Sequence, residues 1–535
     1  METPPTSPAN VSSAEVDNPG EGNERATVLS SLQFYDDLRR QVEADLIREE
    51  GSLVDVLEND EERLGFVHLV SLLAFTDPSG AYFQVGYEIA IGVALALQHL
   101  NAGDGSLIEP VEGLNQRCKL RFTGEFIDTG LNGAQALNEV VPRTEPTYQG
   151  RKPSAFVGAV SSSVSSPSGI VSGLRGYPQM SGSSTSNDLD NKIKYPLFTR
   201  TIPSDDGITE SIILYLTKEL RCTHLAVINV NDSFGNGYVN GLRQAAAKHA
   251  PDSLNLVQIP VSADGNEESL RQAITTLKDS GFLFVIAILI DNSQYDNLLQ
   301  EAVQRDVAGN GRHNWVFADS VGIGTLRFPQ NSPLIKAYEG SGRFQVSATF
   351  GEKFDSLDEQ ASELKNPSDY AYLNQLLPNF TDSPFYSGDS FLNPIEYPFT
   401  PLFYESTIML GLAACDAAGS NLTFTGTEMY EKLVSYPPFD TISGVMELDP
   451  SSGSRVPDSA YFELSNFRQT NAIDPVTGET VVEFQPTLTN MFHQGEWTTL
   501  APFVYNDGTT QVPNWVELPD IDQNFIIPGV RGIAL

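Results

Sequence analysis

Residues 155–205 read AFVGAVSSSVSSPSGIVSGLRGYPQMSGSSTSNDLDNKIKYPLFTRTIPSD, and how this stretch is read decides the fold. The apolar run AFVGAV has the length and bounded character of a buried strand. It passes directly into the serine cluster SSSVSSPSG, and a second polar cluster, SGSSTSND, begins at Ser181, twenty residues after the first. Strand, polar turn, helix, strand, polar turn is the repeating unit of a parallel sheet flanked by helices. In open sheets of this kind ligands sit beyond the carboxyl ends of the strands, where helix N-termini present N–H groups that no intrahelical carbonyl serves. Hydroxyl side chains placed there suit a carboxylate.

The alternation extends to both sides. Toward the N-terminus FVHLVSLLAF reads as a strand, 82–101 as a helix apolar nearly all round, KLRFTGEFID as a strand and 133–141 as a helix. After FTRTIPSDD the pattern restarts: helix 208–220, strand HLAVINV, helix 235–249, strand LNLVQIPV, helix 268–279, then strands FLFVIAILI and NWVFADS. That is a second α/β unit. Residues 351–398, rich in Pro, Asn, Asp and Ser, read as a surface insertion, and LFYESTIMLGLAACDAAG as a helix. Residues 1–25 read as a disordered tail and 27–50 as an amphipathic helical segment. Residues 468–535 give short strands and turns without a clear order.

Composition bounds the function. A chain of 535 residues, 40% hydrophobic and 19% charged, fits two lobes better than one core. Its formal net charge of −37 repels phosphate backbones and anionic lipid, so nucleic acid is the least expected partner and the charge otherwise reports solvation. Three cysteines, Cys118, Cys222 and Cys415, permit one disulfide at most and form no metal box. Glycosylation sequons begin at Asn10, Asn231, Asn379 and Asn421, and sequons at this frequency decide nothing by themselves. The first 25 residues lack the apolar core of a signal peptide, and the longest apolar run, FLFVIAILI, falls far short of the roughly 20 residues of a membrane span. The chain stops as hydrophobicity rises in NFIIPGVRGIAL, so a truncated gene model or a soluble relative is expected.

The quoted stretch resembles the core of the type I periplasmic-binding, or receptor ligand-binding-region, family, and within it most resembles the extracellular clamshell of class C receptors, the metabotropic glutamate and GABA receptors. YEIAIGVALALQHLN, FIDTGLNGAQALNEVV, NDSFGNGYVNGL and WVFADSVG resemble further family elements in order, and the likeness covers roughly residues 66–468. The resemblance implies a two-lobed Venus-flytrap clamshell, each lobe a parallel sheet flanked by helices. It divides the chain into a tail and helical segment (1–62), a first lobe (63–202), a second lobe (203–322), a return to the first lobe (323–430, with the insertion 351–398) and a closing hairpin with extension on the second lobe (431–535). It implies binding without chemistry or cofactor: an amino-acid-like ligand in the cleft, a cell-surface setting, dimerisation through the first lobe and a membrane domain outside this chain.

Matched residue by residue, the resemblance puts Ser162, flanked by Ser161 and Ser163, at the ligand's α-carboxylate. Ser183 and Thr185, with Ser184 between them, fall at contacts to the carboxylate and amine, and Asp319 at the α-ammonium, a buried cation that needs an anionic partner. Phe234 stands where the family has a tyrosine over the ligand. One departure is clear. The basic residue that fixes a distal carboxylate in glutamate-binding members has no counterpart at Tyr397, Pro398 or Phe399, which suits an apolar or neutral ligand side chain.

Two rivals follow from the residues. A free-standing solute-binding protein feeding a transporter would share every motif. Asp128-Thr129-Gly130 and Asp279-Ser280-Gly281 mimic the paired signature of aspartic proteases, in which two carboxylates share a proton, but helix-like sequence adjoins both triads where that mostly β fold has strands.

Overall fold

The computed structural model describes residues 46–58, 63–76, 80, 83–251, 253–289, 292–318, 325–364, 399–474 and 478–513. The chain divides into two units, Met1–Leu46 and Ile47–Leu535, and the described residues after Leu46 belong to the second. The expected tail, nearly all of the helical segment 27–50 and most of the insertion lie outside the described residues, as do Asp319, Tyr397 and Pro398.

Two sheets organise the molecule. The first has seven strands, β1 (Asp55–Glu58), β2 (Arg63–Leu73), β3 (Leu120–Asp128), β4 (Ala155–Gly158), β5 (Gln179–Ser181), β6 (Phe198–Pro203) and the two-residue Ser454–Arg455 from far along the chain. All pairings are parallel except that of β1 with β2. Helices α1 (Gln84–Ala102), α2 (Gly133–Arg143) and α3 (Ser162–Leu174) connect its strands. Parallel strands covered on both faces are apolar throughout, and ten of the eleven residues of β2 are buried. Val70, Leu72, Ile127, Val140, Phe156 and Val164 close one core layer.

The second sheet is built on β7 (His224–Val230), β8 (Asn255–Val261), β9 (Phe284–Ile288), β10 (Asn314–Ala318), β11 (Leu326–Pro329) and β12 (Gly342–Ser347). Helices α4 (Asp205–Leu214), α5 (Ser233–His249), α6 (Glu267–Ser280) and α7 (Asn292–Gln304) accompany it. Ile228, Val285, Leu298, Trp315, Phe317, Tyr338 and Phe484 belong to one core cluster here. Two α/β lobes are thus present, the fold class that the sequence implies.

The lobe boundaries need correction. β11 and β12, expected in the returning first lobe, pair within the second sheet, antiparallel to the long hairpin Tyr461–Ile473 and Thr480–His493. The chain comes back to the first lobe after α8 (Glu352–Glu363), with α9 (Phe399–Ala418), which packs on α1 and is followed by α10 (Gly426–Val434). Of residues 431–535, expected on the second lobe, Ser454–Arg455 pairs with β6 in the first sheet. The cause is non-local: strands 342–347 and 461–466 match only when a partner more than a hundred residues away is in register. Cys118 and Cys415 form a disulfide joining the approach to β3 to the last turn of α9, and Cys222 is a buried thiol pushed up to about 11 by desolvation.

Candidate functional site

The candidate site lies at the carboxyl ends of β4 and β5, where the serine clusters turn the chain. Gly158 ends β4 at φ +114°, and a Cβ there would come within 2.5 Å of Leu72 O, so only glycine permits the turn toward Ser161. α3 begins at Ser162, with Ser161 in extended conformation before it and its hydroxyl 2.9 Å from that of Ser163. Ser162 is buried, and its Oγ accepts the backbone N–H of Ser186 from the second cluster at 3.1 Å. The two clusters are therefore one structure.

Further bonds knit them. Ser165 Oγ accepts Ala159 N–H at 2.9 Å and lies 2.8 Å from Ser184 Oγ, while Ser181 Oγ donates to Ala159 O and accepts Ser183 N–H and Ser184 N–H. Ser183 Oγ donates to Val160 O at 2.7 Å. Thr185 is 1% exposed, and its hydroxyl has no partner among the described residues. A buried hydroxyl without a partner carries a desolvation penalty of about 1–3 kcal/mol that a ligand atom would relieve. Backbone N–H groups opening α3 and the positive end of its dipole add to a site suited to an anion.

Two residues that sequence reasoning missed hold the turn in place. Arg200, in the middle of β6 and fully buried, donates to Ser184 O at 2.9 Å, Ser186 O at 3.0 Å and Ser454 Oγ at 2.7 Å, and pairs with Asp190. A cation inside the strand FTRTIP was the signal, since arginine is almost never fully buried unless its donors are engaged. Asp205, also fully buried, opens α4, and its backbone N–H donates to Thr185 O at 2.8 Å. Its carboxylate faces α5: a Cβ on Gly237 would meet Asp205 Oδ2 at 3.0 Å and Ser186 Oγ at 2.8 Å. Ser186 and Asp205 therefore sit at the point where the second-lobe helix passes the first-lobe turn.

Phe234 occupies the first turn of α5, half-buried and edge-on to Tyr238 with ring centroids 6.2 Å apart. The helix is capped by Asp232, whose side chain accepts Gly235 N–H and whose carboxyl is raised by burial. Ser161, Ser162, Ser163, Ser183, Ser184 and Thr185 are brought together with the start of α3. Phe234 opens the helix that passes Ser186, and Asp319 lies outside the described residues.

The protease-like triads are not arranged for catalysis. Asp128 Oδ1 accepts N–H groups of Phe75 and Gly130 at 2.9 Å, and Oδ2 the hydroxyl of Thr76, so this carboxylate ties two strand ends of the first sheet. Asp279 is exposed on α6, over the second sheet. A shared proton requires contact. Among the described residues no group of His, Cys, Asp and Glu could hold a metal ion, and no described helix is long and apolar enough to cross a membrane.

Comparison with known proteins agrees with this architecture. The model of the receptor family ligand binding region matches residues 112–460. The chain is 23% identical over 385 residues to metabotropic glutamate receptor-like protein E of Dictyostelium discoideum, an alignment covering 71% of this chain and 42% of that protein. It is 26% identical over 155 residues to the extracellular calcium-sensing receptors of Mus musculus and Homo sapiens, covering 29% of this chain and 14% of each relative. The chain thus spans less than half the length of these curated relatives.

Proposed function

Because the chain belongs to the receptor family ligand binding region, we propose that it captures an amino-acid-like small molecule between its lobes and signals by closing over it, as the ectodomain of a class C receptor would. The observation that supports this reading is the joined hydroxyl turn at the start of α3, with Ser162 buried, a buried Thr185 hydroxyl that has no partner among the described residues, and Asp205 bonded through its backbone N–H to Thr185 O. The ligand's carboxylate takes the α3 N-terminus, Ser162 and Ser183; its ammonium takes Asp205 and Asp319; Phe234 covers the ammonium from the second lobe. Ser183 then exchanges its bond to Val160 O for one to the ligand.

A ligand touching both lobes favours the closed state by its differential affinity, and no chemistry is required. The sequence has no basic residue at Tyr397, Pro398 or Phe399, which favours an apolar or neutral side chain. Relatives named as extracellular calcium-sensing receptors support a cell-surface role; a membrane domain beyond this chain and pairing through the first lobe are further parts of the proposal. The runner-up, delivery to a transporter, uses the same site.

The test is a thermal-shift screen of the purified chain against amino acids and amines, followed by calorimetry on the hit. A bound state at a hundred times Kd raises stability by about 2.7 kcal/mol. Ser162→Ala removes a hydrogen bond to a charged group and should weaken the hit about ten- to a hundredfold. A hit whose affinity ignores both Ser162→Ala and Asp205→Asn would place the ligand elsewhere.

A further inference from the structure

Of the four sequons, two fall among the described residues, and the fold treats them differently. Asn421-Leu422-Thr423 forms the turn between α9 and α10. Leu422 is buried, at φ +55°, and anchors the turn; Asn421 on its outer side is exposed. The asparagine borders an open polar hollow of about 460 Å³, lined also by Gly51, Ser52, Ser420 and Thr425. Six residues earlier Cys415 bonds to Cys118, and a disulfide of this kind forms in the oxidising compartments where asparagine-linked glycosylation takes place.

The position of the turn decides the matter. A Cβ on Gly65 would lie 3.5 Å from Leu422 Cβ and 2.5 Å from Leu120, so the turn sits at the amino ends of β2 and β3. The hydroxyl turn sits at the opposite, carboxyl end. The paired run from Gly65 to Leu73 spans eight steps, about 26 Å at the usual rise. A glycan on Asn421 therefore extends from the first lobe away from the cleft. Asn231-Asp232-Ser233 lies at the carboxyl end of β7, leading into the first turn of α5 beside Phe234. Its Oδ1 accepts Asn236 Nδ2 at 3.0 Å, and a glycan there would stand at the cleft edge.

We propose that Asn421 is an asparagine-linked glycosylation site of this protein and that Asn231 stays bare. In the reaction Asn421 Nδ2 attacks the anomeric carbon of a polyprenyl-diphosphate-linked oligosaccharide. A C–N bond forms as the C–O bond to the diphosphate breaks, the diphosphate leaves with the electron pair, and the amide nitrogen gives up one proton. The hollow beside Asn421 receives the first sugar.

The experiment is peptide mapping of the chain secreted from eukaryotic cells behind a cleavable leader, with and without peptide N-glycosidase. The expected result is an aspartate at position 421 after enzyme treatment, an unmodified Asn231, and loss of one glycan-sized mass step in both Asn421→Gln and Thr423→Ala. Because Thr423→Ala keeps the asparagine, it separates a lost sequon from a disturbed turn. An unmodified Asn421 in disulfide-bonded, secreted protein overturns the assignment, and a glycan on Asn231 overturns the positional argument. Neither outcome bears on ligand binding, so this proposal and the proposed function fail separately.

Discussion

Replacing Arg200 by methionine keeps much of the side-chain volume in β6 while removing every donor of the guanidinium. Three oxygens lose a partner, Ser184 O, Ser186 O and Ser454 Oγ, and the Asp190 carboxylate loses its cation. Ser454 Oγ still donates to Asp190, so part of the network survives. Breaking one side of a buried, hydrogen-bonded charge pair typically costs about 3–5 kcal/mol. The Asp190 side chain is 25% exposed and water recovers some of its solvation, which puts the expectation at the lower end, about 3 kcal/mol. The loss then spreads to function. Two carbonyls of the hydroxyl turn are no longer pinned, and re-ordering even one backbone residue on binding costs about 1–2 kcal/mol, so ligand affinity should fall about five- to thirtyfold beyond any loss of folded protein. Thermal unfolding with and without ligand, together with calorimetry at a temperature where the variant is folded, reads both effects. Arg200→Lys, a compact cation that reaches fewer of the four partners, should fall between. A methionine variant that melts like the parent and binds ligand with parental affinity would refute the view that Arg200 holds the turn.

Thr185→Val is nearly isosteric and removes a buried hydroxyl without a partner among the described residues, so the unliganded protein should be as stable or slightly more so, while ligand affinity drops about tenfold or more; equal affinity in calorimetry would exclude Thr185 from the site. Removing the Cys118–Cys415 bond, by Cys415→Ser or by reductant, frees a loop of sequence separation 297 and should lower stability by up to about 5–6 kcal/mol, visible as a lower melting temperature in dithiothreitol. His68 is buried, chiefly desolvated, and its pKa falls from 6.5 to about 4. The unfolded chain therefore takes up the proton first, and stability should decline as pH drops from about 6.5 toward 4 by on the order of 3 kcal/mol. Urea titrations of the parent and of His68→Gln across that range check this, and an acid limb that persists unchanged in the variant would assign it to another group.

Local pattern carried most of the α/β units. β4 and α3 follow from an apolar run meeting a serine turn, and α5 and α6 were expected within two residues of their observed starts at Ser233 and Glu267. The helix expected over 208–220 instead starts at Asp205 and loosens into a π turn over Tyr215–Glu219, because Ser204 and two acidic residues already open it. The resemblance implies a closing hairpin from the stretch 437–467, but local pattern does not place its strands, which pair 461–473 with 480–493. Its strands Tyr461–Ile473 and Thr480–His493 carry Asn, Gln and Pro486, residues that usually break strands, and a register shift falls between Leu464 and Ser465. Pairing with β12 and β11 overrides those weak local preferences. Within the site, the serines were visible as a cluster, but Arg200 and Asp205 were not. The cation inside FTRTIP marks Arg200 as buried and engaged, but its partners in the turn, like that of Asp205, are backbone atoms that no residue pattern encodes.

The strand at Ser454–Arg455 has a mechanical consequence. It runs beside β6, and the passages from β6 to α4 and from Arg455 toward the hairpin both leave the first sheet from this edge. They are stitched together by Arg200 to Ser454 and by Arg455, which donates to Thr201 O, Ser443 O, Val445 O and Ser459 O beside the buried Glu405. A third passage leads from β12 through α8 to α9. With two of the three crossings bonded to each other along one edge, a swing about that edge should break fewer of these bonds than a twist across it.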